Sequence, residues 1–245
     1  FAKKFLTKFK INTAKYNEFL SHYDAFKFIS NVKYPIVIKA DGLASGKGVL
    51  ICNNKIEAEK AINTIMKEKK FGSAGKKIII EEFLSGFEIS YFAFFDKNGF
   101  KKLGYALDHK RAYENNKGPN TGGMGCFLPS KRITKKIEKE IEEKILKPTS
   151  AGFKKEKLIY RGILFFGLMI TSNGPYVIEY NVRFGDPECQ ILLRNLQTDF
   201  LKIINLNIQD KVSKLKIRRE NKSIICVVLA SKGYPGIFNT NRKIE

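Results

Sequence analysis

Residues 36–48 read I-V-I-K-A-D-G-L-A-S-G-K-G: an apolar run ending in Lys39, then a loop in which Gly42, Gly46 and Gly48 surround Lys47, with Ser45 between. The apolar run predicts a short buried strand over 35–39, and a second follows the loop at 49–52. Glycines let successive backbone N–H groups turn toward an anion, and a lysine adds a point charge for phosphate oxygens. The stretch therefore reads as a phosphate grip or, on composition alone, as a flexible hairpin turn. It is not a Walker A loop, because the spacing is one residue short, Gly48 replaces Ser or Thr, and a strand follows where a helix is required.

Working outward, a helix over 57–67 and a strand over 77–84 complete a small α/β unit, 16–81. Upstream, the spacing of Phe1, Phe5, Leu6 and Phe9, and of Tyr23, Phe26 and Ile29, predicts helices over 1–10 and 21–30. Downstream, 88–95 and 101–107 pair as a hairpin around 96–99, and a glycine-rich loop, 118–125, follows. Ile133, Ile137, Ile141 and Ile145 recur every fourth residue, which predicts a long helix with a core-facing stripe that Pro148 kinks or ends. Strands over 162–171 and 176–180, then helices from Pro187 and Phe200, complete a larger α+β unit, 82–210. Residues 1–15 read as a linker helix and 211–245 as the start of a further β-rich domain. A first residue Phe1 that is not methionine fits the reading of the chain as a fragment.

At 245 residues with 43% apolar and 12% aromatic content, the chain can bury a core and is not disordered. Its longest apolar stretch, 163–170, is too short to cross a bilayer. Cys52, Cys126, Cys189 and Cys226 are isolated and read as reduced thiols in a cytosol. Two histidines, His22 and His109, leave little material for a zinc site or a Ser-His-Asp triad, so any metal must take oxygen ligands. The net charge of +21 raises nucleic-acid binding, but the lysines are scattered through nearly every segment, which reads as solvated faces.

Residues 178–187 read I-E-Y-N-V-R-F-G-D-P. Alternate residues of a strand share a face, which would align Glu179, Asn181 and Arg183. A carboxylate with an amide oxygen suits Mg²⁺, and a neighbouring guanidinium would stabilise a transferring phosphoryl group. A surface ion pair between Glu179 and Arg183 is the alternative, as is an N-cap role for Asp186 before Pro187. D-H-K-R at 108–111 and G-P-N-T-G-G-M-G at 118–125 offer an anion or ribose site and, in Asp108, a partner for an amine; a mobile turn beside a charge cluster explains them equally. E-E-F-L at 81–84 is a strand end whose backbone could read an adenine edge, with Glu88 at a ribose hydroxyl, or simply a solvated terminus.

K-A-D-G-L-A-S-G-K-G, E-E-F-L, D-H-K-R, G-P-N-T-G-G-M-G and R-F-G-D-P-E, in this order and spanning essentially the whole chain, together resemble the ATP-grasp ligases, and among them the phosphoribosylamine-glycine ligase family. The resemblance implies an α+β ATP-grasp fold of two α/β subdomains clasping ATP. It also implies a cytoplasmic carboxylate-amine ligase, a monomer acting on small molecules without nucleic acid or membrane, that joins glycine to 5-phosphoribosylamine through a glycyl phosphate in purine biosynthesis. Another ATP-grasp ligase with a different acid and amine is the nearest alternative. Carried over, Lys39, Gly42, Ser45, Gly46, Lys47 and Gly48 contact ATP phosphates, Glu81, Phe83 and Leu84 adenine, and Glu88 ribose. Glu179 and Asn181 hold Mg²⁺ or Mn²⁺, and Arg183 stabilises the acyl phosphate. Asp108, Lys110, Asn120, Gly122 and Gly123 line the substrate side, with Asp186 orienting an amino group. Unit 16–81 is the lid that excludes water from an acyl phosphate. The resemblance departs at 164–170, where a further acidic metal ligand is missing, and residues 1–245 alone are expected to have little or no activity.

Overall fold

The computed structural model describes residues 1–42, 44, 48–115, 117–241 and 243. They form two compact units, one made of Phe1–Thr13 with Gly86–Glu245 and the other of Ala14–Ser85. The first helix, α1 (Ala2–Lys8), belongs to the larger unit, where it buries Phe5 and Leu6.

The smaller unit is a four-stranded antiparallel sheet of β1 (Tyr16–Phe19), β2 (Ile36–Ala40), β3 (Val49–Cys52) and β4 (Ile78–Glu82), in the order β1-β4-β2-β3. Two helices supply the rest of its core: α2 (His22–Ile29) through Ala25 and Ile29, α3 (Lys55–Ile62) through Ala58 and Ile62, against Ile36, Ile38, Ile78 and Ile80. Each helix starts where a polar side chain accepts an otherwise orphaned N–H, Ser21 from Asp24 and Asn54 from Glu57. The Glu57 carboxylate returns the favour to the Asn53 N–H, a reciprocal cap. Beyond α3 the chain widens into a π turn, Asn63–Lys67. Strand β1 escaped the sequence reading because it is four residues long and shows no buried alternation.

The larger unit is a six-stranded antiparallel sheet in the order β11-β10-β5-β6-β9-β12. Its strands are β5 (Phe87–Asp96), β6 (Gly99–Asp108), β9 (Gly125–Leu128), β10 (Gly162–Thr171), β11 (Gly174–Asn181) and β12 (Ile224–Val227), while β7 (Arg111–Tyr113) and β8 (Lys117–Asn120) form a separate ribbon. Both faces of the sheet are covered, which is why β5 and β10 read as near-continuous apolar runs. One face carries Tyr91, Phe95, Phe166 and Leu168 against Ile141 and Ile145. The other carries Phe92, Phe94 and Phe165 against α6 (Glu188–Asn195) and α7 (Phe200–Ile208) through Ile191, Leu192 and Ile203. The 96–99 turn closes because the Asp96 carboxylate accepts the N–H groups of Asn98 and Gly99, and it also takes that of Val212.

The helix expected from the isoleucine stripe is three pieces: α4 (Lys135–Ile141), a π turn over Glu142–Leu146, and α5 (Lys147–Lys155). Four residues turn an α-helix through about 400°, so a strict four-residue repeat drifts about 40° each time. The wider π turn absorbs that drift and keeps both Ile141 and Ile145 fully buried. Pro148 therefore neither ends the helix nor costs it a regular bond, since it follows a ladder already interrupted, and α5 runs on to Lys155. Among the described residues no helix is long and apolar enough to cross a membrane.

Candidate functional site

In the smaller unit, Val37 of β2 lies opposite Glu81 of β4, so Lys39, two residues on, shares Glu81's face. The Lys39 Nζ and Glu81 Oε2 atoms stand 3.0 Å apart, with Glu81 buried and Lys39 nearly so. The cation at the strand end is thus held by an internal anion. Beside it Lys77 holds Asp41 at 2.5 Å and Glu18 at 3.2 Å. The hydrogen bond to Asp41 outweighs burial and raises the Lys77 pKa above the usual lysine value. That contact pins the entrance of the glycine loop. Gly42 sits where a Cβ would come 2.7 Å from the Ala74 Cβ, and Gly48 where one would come 2.7 Å from that of Ala44, so both are required by packing. Ser45, Gly46 and Lys47 lie outside the described residues. After β4, Phe83 is exposed and Leu84 half-buried.

In the larger unit the remaining candidates gather at one end of the six-stranded sheet. Register runs Glu179 on β11, Gly167 on β10, Ser90 on β5 and Ala106 on β6 in a single row. A Cβ on Gly167 would meet the Glu179 Cγ at 2.9 Å, so the glycine makes room for the carboxylate to lie over β10. The Asn181 Nδ2 donates to Glu179 Oε1 at 3.0 Å, which puts both side chains on one face. The strand does not carry that row on to Arg183. Strand β11 ends at Asn181, and the Arg183 Nη1 instead donates to the Phe184 carbonyl. The expected three-residue row is therefore a two-residue row followed by a bend, and Glu179 is engaged by Asn181 and not by an ion pair with Arg183. Asp186 does not cap α6 either: Pro187 holds the cap position with no side-chain bond, and Asp186 accepts from Gln190 Nε2 at 2.8 Å.

Glu88, exposed at the start of β5, pairs with the Lys110 Nζ at 3.2 Å. Burial alone would lower the Lys110 pKa, but Glu88, Asp108 and Glu179 outweigh it and raise it. Asp108 is half-buried at the end of β6, and its Oδ1 is shielded from solvent with no hydrogen-bond partner. Burial, then the neighbouring Glu188 carboxylate, push its pKa up to about 7, against the pull of Lys110. Glu188 is a residue whose part in the site the sequence reading missed; only 3% exposed, it accepts from Ser90 Oγ at 2.6 Å. Gly123, at φ +134°, packs where a Cβ would fall 2.5 Å from Pro187 and 3.1 Å from Asp108 Oδ1. The loop amides differ from expectation: Gly122 N–H donates to the Tyr234 hydroxyl and Gly123 N–H to Thr121 Oγ1, so both are engaged inside the protein. Asn120, the last residue of β8, is exposed.

Two hard oxygens on one strand, the Glu179 carboxylate and the Asn181 amide carbonyl, fit a divalent cation that keeps water and phosphate oxygens as its other ligands. No group of three carboxylate, histidine or cysteine side chains assembles a complete cage among the described residues.

The Asp108 shift has a checkable consequence in the ligand-free protein. A carboxyl whose folded pKa stands above its ordinary value contributes stability below that ordinary value and loses it as pH rises through about 7. Asp108→Asn removes the titration, so the variant's melting temperature should gain on wild type by a few degrees between pH 4.5 and 8.5. A constant difference between the two proteins across that range would place the ionised Asp108 in a solvated setting.

A family model, phosphoribosylglycinamide synthetase, ATP-grasp (A) domain, matches residues 1–189. The chain is 47% identical over 245 residues to the phosphoribosylamine–glycine ligase of Caldanaerobacter subterraneus subsp. tengcongensis, covering all of this chain and 59% of that one. It is 43% identical over 245 residues to that of Clostridium acetobutylicum, with the same 59% covered. The crystal structure of phosphoribosylamine–glycine ligase from Thermotoga maritima superposes with a TM-score of 0.87 at 34% identity, over 97% of this chain and 60% of that one. The chain thus spans about three fifths of the length of the relatives it matches. With one fold shared along its length and a domain model matched over most of it, the chain belongs to the ATP-grasp domain family of phosphoribosylglycinamide synthetase.

Proposed function

We propose that the chain is the ATP-handling part of a ligase that joins glycine to 5-phosphoribosylamine, releasing ADP and phosphate. A carboxylate is a poor electrophile, so glycine is first phosphorylated to glycyl phosphate. The amine then attacks that carbonyl, and phosphate leaves the tetrahedral adduct. In this reading Lys39 and the 42–48 loop take the ATP phosphates, with Lys39 exchanging its partner Glu81 for a phosphate oxygen. Glu81, Phe83 and Leu84 face adenine and Glu88 the ribose. Glu179 and Asn181 hold Mg²⁺ or Mn²⁺, which when bound neutralises charge on the phosphate oxygens. Arg183 offsets charge on the acyl phosphate once it leaves the Phe184 carbonyl. Lys110, Asn120, Gly122 and Gly123 shape the substrate side, and Asp186 orients an amino group.

The observation that best supports the substrate side is the Asp108 Oδ1, a shielded acceptor with no donor of its own. A buried acceptor left unmade costs roughly 1–3 kcal/mol. A substrate amine removes that cost and draws the Asp108 pKa back down. The test is ADP release by the full-length protein with Mg²⁺ and glycine plus phosphoribosylamine, run against other acid and amine pairs. Turnover that needs both named substrates supports the reading; equal or greater turnover with another pair assigns the chain to a different ATP-grasp ligase.

A further inference from the structure

In the glycine-rich loop the four amides from Thr121 to Met124 are each hydrogen-bonded. Thr121 donates its N–H and its hydroxyl to the Lys110 carbonyl at 2.7 and 2.8 Å. Gly123 N–H donates to Thr121 Oγ1 at 3.0 Å and Met124 N–H to the His109 carbonyl at 2.7 Å. These four bonds are local: three tie the loop to His109 and Lys110, just past the end of β6, and the fourth lies within the loop. Gly122 N–H is different: it donates to the hydroxyl of Tyr234, 112 residues away, at 3.1 Å.

That hydroxyl is itself held in place. Tyr234 N–H donates to the Ser231 carbonyl at 3.1 Å, and Gly236 N–H to the Gly233 carbonyl at 2.8 Å, so the ring projects from a closed turn. Gly233 makes the turn possible, since at φ +100° a Cβ would fall 2.4 Å from the Ile237 carbonyl oxygen. The Tyr234 ring packs edge-on against Phe238 with centroids 5.6 Å apart. Tyr234 also lies beyond the residues matched by the ATP-grasp domain model, which end at 189.

We propose that Tyr234 is a positioning residue for the substrate loop: its hydroxyl anchors Gly122 and thereby sets Gly123 as the wall against Asp108. The inference rests on the ligase reading above, in which Asp108 and the loop face the substrates. Loss of the anchor lets Gly123 drift from Asp108 Oδ1 and loosens the substrate side.

The test is Tyr234→Phe in the full-length protein, which deletes the hydroxyl and keeps the ring against Phe238. One neutral hydrogen bond corresponds to about a fivefold effect. The expected result is a KM for phosphoribosylamine or glycine raised about fivefold, with the KM for ATP and the melting temperature unchanged. Amide hydrogen exchange in the peptide covering residues 118–125 should accelerate by a similar factor in the ligand-free protein. Unchanged substrate KM values overturn the proposal, and so does a parallel rise in the KM for ATP with a lowered melting temperature, which marks a merely structural tyrosine. If wild type itself fails to ligate these substrates, the ligase reading falls; the exchange rate then decides the anchor alone, and an unaltered rate refutes it.

Discussion

Glu179→Ala should lower metal-dependent turnover of the full-length protein by at least about 100-fold, since disturbing only the groups that orient a metal's ligands already costs about 10–100-fold and this change removes a ligand itself. Its melting temperature should barely move. Glu179 is exposed and, among the described residues, hydrogen-bonds Asn181, so the fold loses little, within roughly 0.5 kcal/mol for a surface substitution. Glu179→Gln separates charge from shape: the amide still accepts from Asn181 but no longer offers an anionic oxygen, and a hard divalent cation prefers the anion. Both variants should therefore fail together at ordinary metal concentrations, with the glutamine variant partly restored as metal is raised. Alanine-variant turnover close to wild type at the same metal concentration would remove Glu179 from the metal site.

Phe166→Ala should destabilise the larger unit by about 3–5 kcal/mol, through lost transfer energy and the cavity left behind. Phe166 is fully buried in mid-strand on β10, opposite Tyr91 on β5 and Tyr180 on β11. Its ring lies 5.2 Å from that of Tyr180 and 5.8 Å from that of Phe95. At this chain length the loss corresponds to a drop of roughly 6–20 °C in melting temperature. Phe166→Leu leaves most of the volume filled and should cost much less. Urea unfolding that shows a loss below about 1 kcal/mol for the alanine variant would mean that the core collapses around the gap.

Much of the site was legible because short-range periodicity carries it. Glu179 and Asn181 share a face through the two-residue repeat of a strand, and no tertiary contact is needed to infer that. The same rule does not reach Arg183, because it presumes that the strand goes on, whereas β11 stops at Asn181 and the chain continues to α6. The isoleucine stripe was read correctly as core, yet its four-residue spacing was the mark of a π turn and not of an unbroken α-helix. The short strands β1, β7, β8 and β9 carry too few residues to show a period at all.

The sequence by itself determined the fold class and the order of the glycine-lysine, carboxylate and glycine-loop motifs, because residue spacing and side-chain chemistry are local properties. Only the tertiary structure decided what those residues touch. It paired Lys39 with Glu81, brought Ser90 to Glu188 across 98 positions, left Asp108 Oδ1 without a donor, and closed Gly122 with Tyr234. Burial and hydrogen-bond satisfaction depend on what the whole chain packs around a group, and no stretch of a few residues contains that information.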